Sequence, residues 1–242
     1  MSVINQILIS IIILFGFFGQ AVFGFGGGLV TIPLISLLMG VKETVTLVSI
    51  FQLMMGLLIF KTHKTTNWQV GIPVTAGMLI GVPLGIYSLT SFSDTFLRRF
   101  LALFMLAFLV RAQFFPGWRL GANRGKGWAL SVGGIFGWLQ GLLGSGGPVI
   151  VLYLMEVLPD KTSFRSTVIY AAFTSNLIRF GLSISTGLIT PELVKIALPI
   201  MPLFLIAVYF GQRSFARLDE RYYQIGVKLI LFASAISLLL KS

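Results

Sequence analysis

Apolar residues in this chain come in long blocks, and the polar residues gather in the gaps between them. The blocks run over residues 3–23, 28–41, 44–60, 69–90 and 97–115, then 128–143, 148–158, 163–185, 191–210 and 222–240. Most approach the roughly 20 residues that carry a helix across about 30 Å of hydrocarbon, so the pattern predicts ten helical segments in two groups of five. Residues 28–41 and 148–158 are short for a span, and the pattern leaves open whether they cross or re-enter. Between the groups, Phe115 to Gly127 holds Pro116, Gly117, Arg119, Gly121, Asn123, Arg124 and Lys126, the most loop-like stretch of the chain. The expected organisation is a first membrane repeat over 1–115, a linker over 116–127 and a second repeat over 128–242.

The two groups repeat in detail. Gln20-Ala-Val-Phe-Gly24-Phe-Gly26-Gly27-Gly28-Leu-Val30 aligns with Gln140-Gly-Leu-Leu-Gly144-Ser-Gly146-Gly147-Pro148-Val-Ile150 at a constant offset of 120. Gly85 to Phe96 aligns with Gly211 to Tyr222 at an offset of 126. The first match is the stronger, because its glutamine and its glycine or proline positions agree together.

Composition makes lipid the solvent. Of 242 residues 56% are hydrophobic and 10% charged, against about 25% charged in a soluble domain. Mean hydropathy is +0.96. With no cysteine and one histidine, His63, the chain lacks the ligands for an iron–sulfur cluster, a thiolate zinc site or a multi-histidine centre. No metal and no cofactor are expected. A net charge of +11 would suit a nucleic-acid binder, but the basic residues lie mainly in short gaps, where they set membrane orientation instead. Nucleic acid is therefore not an expected partner.

Taken by alternate gaps, one side receives Lys61, Lys64, Arg111, Arg119, Arg124, Lys126, Lys161, Arg165, Arg213, Arg217 and Arg221. The other receives Lys42, Arg98, Arg99 and Lys241. The richer side is expected to be cytoplasmic, which puts the linker in the cytoplasm and both termini in the periplasm of a bacterial-type inner membrane protein. Met1 to Gln6 carries no positive charge, so a cleaved secretory signal is not expected. Each half makes an odd number of net crossings, so the second half is expected to be inverted. The expected fold is thus all-α: a polytopic helical membrane protein, an inverted repeat of two five-segment halves with broken or re-entrant glycine-rich helices.

A helix break inside lipid leaves backbone groups that only buried protein, water or a ligand can satisfy. Gly24 to Gly28 and Gly144 to Pro148 read as two such breaks, each followed by a short helix whose first N–H groups and dipole form a cradle for an anion. Close helix packing is the alternative use of these glycines, as for Gly133, Gly134 and Gly137. Gln20 and Gln140 stand one turn before the breaks and offer amide donors, either to an anion or to another helix. Ser145 adds a hydroxyl where the first half has Phe25, or simply caps its loop. Arg179 follows Arg165 in one apolar block, about 21 Å further along a helix, beyond the midplane. Asn176 shares its face, and snorkelling to the interface is the arginine's alternative. Gln52, polar inside the third block, falls under a weaker form of that argument. The candidate binding residues are therefore Gln20, Gly24, Gly26, Gly27, Gly28, Gln140, Gly144, Ser145, Gly146, Gly147, Asn176 and Arg179.

Glu43, Asp94, Glu156, Asp160, Glu192, Asp219 and Glu220 all fall near block ends, so none is placed as a mid-membrane proton relay. There is no nucleophile–histidine–acid set and no phosphate loop, and no catalytic residue is expected. The duplicated Gly24-Phe-Gly-Gly-Gly-Leu-Val-Thr-Ile-Pro33 and Gly144-Ser-Gly-Gly-Pro-Val-Ile150, with Gly187-Leu-Ile-Thr-Pro191, resemble the TauE/SafE family of sulfite and sulfoacetate exporters over nearly the whole chain. The resemblance implies a secondary transporter of sulfur-containing anions, binding them at the two glycine-rich loops. A passive anion channel and a nonconducting assembly subunit are the alternatives, and a homodimer is an open alternative for the assembly. The charge asymmetry predicts that, in intact cells, an impermeant thiol reagent labels a cysteine placed at Ser242 and spares one at Asn123. The reverse pattern overturns the topology.

Overall fold

The computed structural model describes residues 3–23, 26–60, 66–115, 125–158 and 160–214, together with 232 and 236. Gly24, Phe25, His63, the linker from Pro116 to Arg124, both termini and nearly all of the block 222–240 lie outside the described residues. Among those described there are nine helices and no strand. In order they are α1 (Val3–Phe23), α2 (Gly27–Ile35), α3 (Val41–Phe60), α4 (Trp68–Ser91), α5 (Asp94–Phe114), α6 (Gly125–Leu143), α7 (Gly147–Val157), α8 (Lys161–Ser185) and α9 (Pro191–Ser214).

Each of the first nine apolar blocks became one helix, and the expected all-α fold is borne out. The second block was read too long. Its helix stops at Ile35, where Leu37 and Leu38 N–H groups bond three residues back and tighten the chain into a turn. With nine and eleven residues, α2 and α7 reach about 13 and 16 Å, too short to cross hydrocarbon. By length and composition α1, α3, α4, α8 and α9 are able to span. Their outward faces carry Phe15, Ile72, Tyr87, Leu198 and Phe210, apolar side chains that only lipid would accept in such number. The chain is a multi-pass helical membrane protein.

By contacts it divides into two compact units, each drawing on both halves of the sequence. The first comprises Met1–Phe51, Phe92–Pro116 and Leu188–Ser242; the second comprises Gln52–Ser91 and Gly117–Gly187.

In the first unit α1 packs on α2 and α9. Phe17, Phe51 and Phe204 meet there as a buried aromatic cluster, with ring centroids 5.1 to 6.0 Å apart. Asp94, at the start of α5, accepts the Val41 N–H at 2.8 Å and so caps α3, while its other oxygen pairs with Arg98 at 2.9 Å. A block-end acid thereby supplies a helix cap.

The second unit is built on α4 and α6, which run parallel with their backbones in direct contact. A methyl group at Gly77 would collide with the Leu130 carbonyl, at Gly81 with that of Gly134, and at Gly85 with that of Trp138. From the other side, methyl groups at Gly133 and Gly141 would meet the carbonyls of Val74 and Val82. Two ladders of glycine spaced four residues apart let the helices touch without side chains between them. Helix α8 joins this pair where Trp68 packs on Tyr170 and Thr75 hydrogen-bonds the Tyr170 hydroxyl at 3.2 Å. Its own start is capped by Asp160, which accepts the Ser163 N–H at 2.8 Å; that bond holds the Asp160 carboxyl below its usual range.

One contact occurs once within each unit. Gly85 abuts the backbone of Trp138 in the second, and Gly211 abuts that of Phe18 in the first. The two pairs are related by the same offsets, 120 and 126, that align the halves of the sequence.

The glycine ladder predicts opposite responses to one substitution. Gly81→Ala is expected to lower stability by about 1–3 kcal/mol, because backbone cannot yield to the new methyl. At Gly181 a methyl meets open space, so Gly181→Ala should leave stability unchanged or slightly raised. Thermal unfolding of the two purified variants in one detergent checks the contrast.

Candidate functional site

The second helix break is formed by α6 ending at Leu143 and α7 beginning at Gly147. Gly144 sits at φ 63°, a left-handed conformation that glycine adopts without penalty, and this turns the chain out of α6. Among the described residues of the first break Gly26, which immediately precedes α2, is left-handed at φ 96°. The aligned position in the second half, Gly146, is right-handed at φ −67°. The breaks therefore match in sequence and differ in backbone path.

Around the second break four polar side chains from three helices converge. Gln140, on the last turn of α6, accepts the Gly146 N–H at Oε1 (2.9 Å). Its Nε2 donates to Asn176 Oδ1 on α8 (2.9 Å) and to Gln52 Oε1 on α3 (3.4 Å). Gln52 in turn donates its Nε2 to the Gly144 carbonyl (2.9 Å) and accepts Arg179 Nη1 at its Oε1 (2.9 Å). Arg179 is fully buried, with 0% of its surface exposed. Its guanidinium is enclosed by protein and reaches no exposed surface. Ser145, 4% exposed, sits in the same loop, and its Oγ has no hydrogen-bond partner among the described residues.

Packing brings these groups together. Gly56 lies one turn from Gln52, and a methyl there would press on Phe173 of α8, so the two helices approach closely. Gln52 facing Arg179 while Gly56 faces Phe173 makes them antiparallel, and Asn176 and Arg179 share the inward face of α8 one turn apart.

The sequence-derived candidates fall into three groups. Gln140, Gly144, Ser145, Gly146, Asn176 and Arg179 form one buried cluster. Gly147 stands beside it at the start of α7, where an added methyl would meet open space. Gln20, Gly26, Gly27 and Gly28 belong to the first unit and make a simpler arrangement. The Gln20 side chain lies against Gly27, and its Oε1 has no partner among the described residues. Gly24 lies outside the described residues. The Gly146 N–H does not point freely into the break, because Gln140 holds it. Gln140 itself makes the interhelical bonds that were its alternative reading. Gln52 belongs at the centre of the cluster, and its one signal in the sequence was an amide inside an apolar block.

The described residues also form an open pocket of about 270 Å³, lined by Lys42, Glu43, Thr46, Thr190 and Glu192 among others. It lies wholly in the first unit and shares no residue with the cluster. Among the described residues no group of acidic, histidine or cysteine side chains could hold a metal ion.

Helices long enough to span, two short helices that follow glycine breaks, and a buried arginine held by the Gln52 amide at one break are the build of a membrane transporter. The chain belongs to the Sulfite exporter TauE/SafE family, whose model matches residues 8–238. Membership makes it part of a family for membrane transport of sulfite or related anions. No curated protein and no solved structure gives a significant match.

The cluster separates stability from availability. Gln140→Leu strands the Gly146 N–H and the Asn176 oxygen, and is expected to cost about 1–3 kcal/mol for each group left unsatisfied. Ser145→Ala removes a buried hydroxyl that bonds none of the described residues, and is expected to keep or raise stability. Unfolding midpoints of the two variants test this, and equal losses would contradict it.

Proposed function

We propose that the chain is a secondary transporter that exports small sulfur-containing anions, such as sulfite, sulfoacetate or other sulfonates, across a bacterial-type inner membrane. The single observation that carries this reading is the fully buried Arg179 among the neutral amides of Gln52, Gln140 and Asn176 at the second helix break. Bringing a guanidinium into a membrane protein's interior is costly, and that cost is recovered when the site takes up negative charge. Gln52 orients the cation, and Gln140, bonded to both Gln52 and Asn176, holds Gln52 in place. The unengaged Ser145 hydroxyl and the dipole at the start of α7 favour an anion in the same place.

In this reading the two halves are an inverted repeat, 1–115 and 128–242, that alternates access around the site. The recurrence of the Gly85–Trp138 contact as Gly211–Phe18 supports the repeat. So does the order of long and short helices, which runs long, short, long, long at the start of each half. The positive-inside tendency supports a cytoplasmic linker and periplasmic termini.

Arg179→Gln is expected to weaken sulfonate binding roughly ten- to hundredfold, the effect of losing about 1.5–3 kcal/mol of charge-assisted hydrogen bonding. Calorimetry on purified protein reads the loss. Saturable counterflow of labelled sulfite in proteoliposomes, abolished in the same variant, marks a carrier. Flux without saturation would mark a channel, and unchanged binding in Arg179→Gln would remove the site.

A further inference from the structure

The anion site proposed above is already occupied by the protein's own groups. Every amide oxygen in the cluster is taken: Gln140 Oε1 by the Gly146 N–H, Asn176 Oδ1 by Gln140, and Gln52 Oε1 by both Arg179 and Gln140. An entering anion therefore has to replace one of these acceptors, and the three are not equivalent. Taking the place of Gln140 Oε1 would release the Gly146 N–H that anchors the start of α7. Taking the place of Asn176 Oδ1 would gain a single neutral donor. The position of Gln52 Oε1 gathers two donors, one of them cationic.

Resting on that site reading, we propose that Gln52 is the group the transported anion displaces, and that its amide sets which ligands the site accepts. An anion oxygen at the position of Gln52 Oε1 keeps Arg179 Nη1 and Gln140 Nε2 satisfied and exchanges a neutral acceptor for a charged one, which strengthens both bonds. The displaced side chain has rotatable bonds of its own, and in leaving it gives up the bond from its Nε2 to the Gly144 carbonyl, 2.9 Å long. Helix α3 need not move, since Gly56 keeps it against Phe173 of α8.

Selectivity follows from the competition. A neutral ligand with a sulfonyl or carbonyl oxygen offers Arg179 nothing beyond what Gln52 already gives, so it cannot displace the amide. An anion can. Because the amide returns when the anion leaves, the arginine is never stranded, and binding stays weak enough to permit release. Gln52 is thus an internal competitor, specifying charge through what it excludes.

The test uses the full-length chain in nanodiscs, with methanesulfonate and sulfite as anionic probes and methanesulfonamide as the neutral one, followed by calorimetry. Gln52→Glu places a tethered carboxylate on Arg179 and is expected to weaken methanesulfonate binding on the order of a hundredfold while the protein stays folded. Gln52→Met removes the competitor at similar volume. It is expected to bind methanesulfonate roughly three- to tenfold more tightly and to make methanesulfonamide binding measurable. A group that merely positioned its neighbours would give weaker binding in both variants.

Wild-type affinity in Gln52→Glu, or weaker anion binding in a folded Gln52→Met, overturns the displacement. Should Gln52→Met fail to fold, Gln52→Glu decides alone. Arg179→Gln is measured alongside. If it binds as the wild type does, the anion site itself is wrong; if it loses binding while both Gln52 variants match the wild type, only the displacement is wrong.

Discussion

Direct contact between the backbones of α4 and α6 is the constraint on which the second unit rests. In lipid there is no gain from hiding apolar side chains from water, so helices are held by close packing and by polar contacts. Glycines at 77, 81 and 85 facing glycines at 133, 137 and 141 allow the closest approach two helices can make. That approach fixes α6 along its length and so fixes the position of Gln140 on its last turn. Gln140 then anchors Gly146, which sets the start of α7, and reaches Asn176 on α8. The polar cluster is placed by a surface made mainly of glycine and backbone, with one polar side-chain contact, from the Trp138 indole N–H to the Ser88 hydroxyl at 3.2 Å.

A buried arginine would ordinarily be a liability in this setting. Here it is tolerated because the groups around it are amides, able to accept at one end and donate at the other. Gln52 does both, tying Arg179 to the carbonyl released where Gly144 turns out of α6. A break that exposes a backbone group and a cation that needs an acceptor thus address each other's deficiency through one side chain. The first unit carries no such arrangement among its described residues. Its buried centre is the aromatic cluster of Phe17, Phe51 and Phe204, so the duplicated glycine motif serves two different interiors.

The long elements were legible in the sequence because lipid imposes a length, and a helix that must cross it cannot hide its span. The end of α2 was not legible. Its turn runs over Ser36, Leu37 and Leu38 into a bend at Met39, and the one polar residue among them does not interrupt an apolar run that reads as continued helix. Glutamine and glycine one turn apart marked the second break correctly, and the depth of Arg179 within its block marked it as unusual. Its partner was hidden by distance along the chain, for Gln52 lies 127 residues from Arg179 and 88 from Gln140. A lone amide in a hydrophobic block acquires meaning only when the fold supplies what stands opposite it. The glycines of α6 read as packing residues from the start, whereas those of α4 gained that meaning only once their partner helix was known.

The division of the chain into interleaved units bears on how the protein is made. The second unit draws only on residues up to Gly187, so it is complete in sequence while α9 has yet to emerge from the ribosome. The first unit is the reverse: α1 is synthesised before α2 to α8, yet packs against α9, which follows them all. Until then the face of α1 that receives Gly211 of α9, around Phe18 and Ala21, has no permanent neighbour. Of these nine helices α1 is therefore made well before the partner that locks it in place, and the insertion machinery or the lipid itself must shelter that face in the interval.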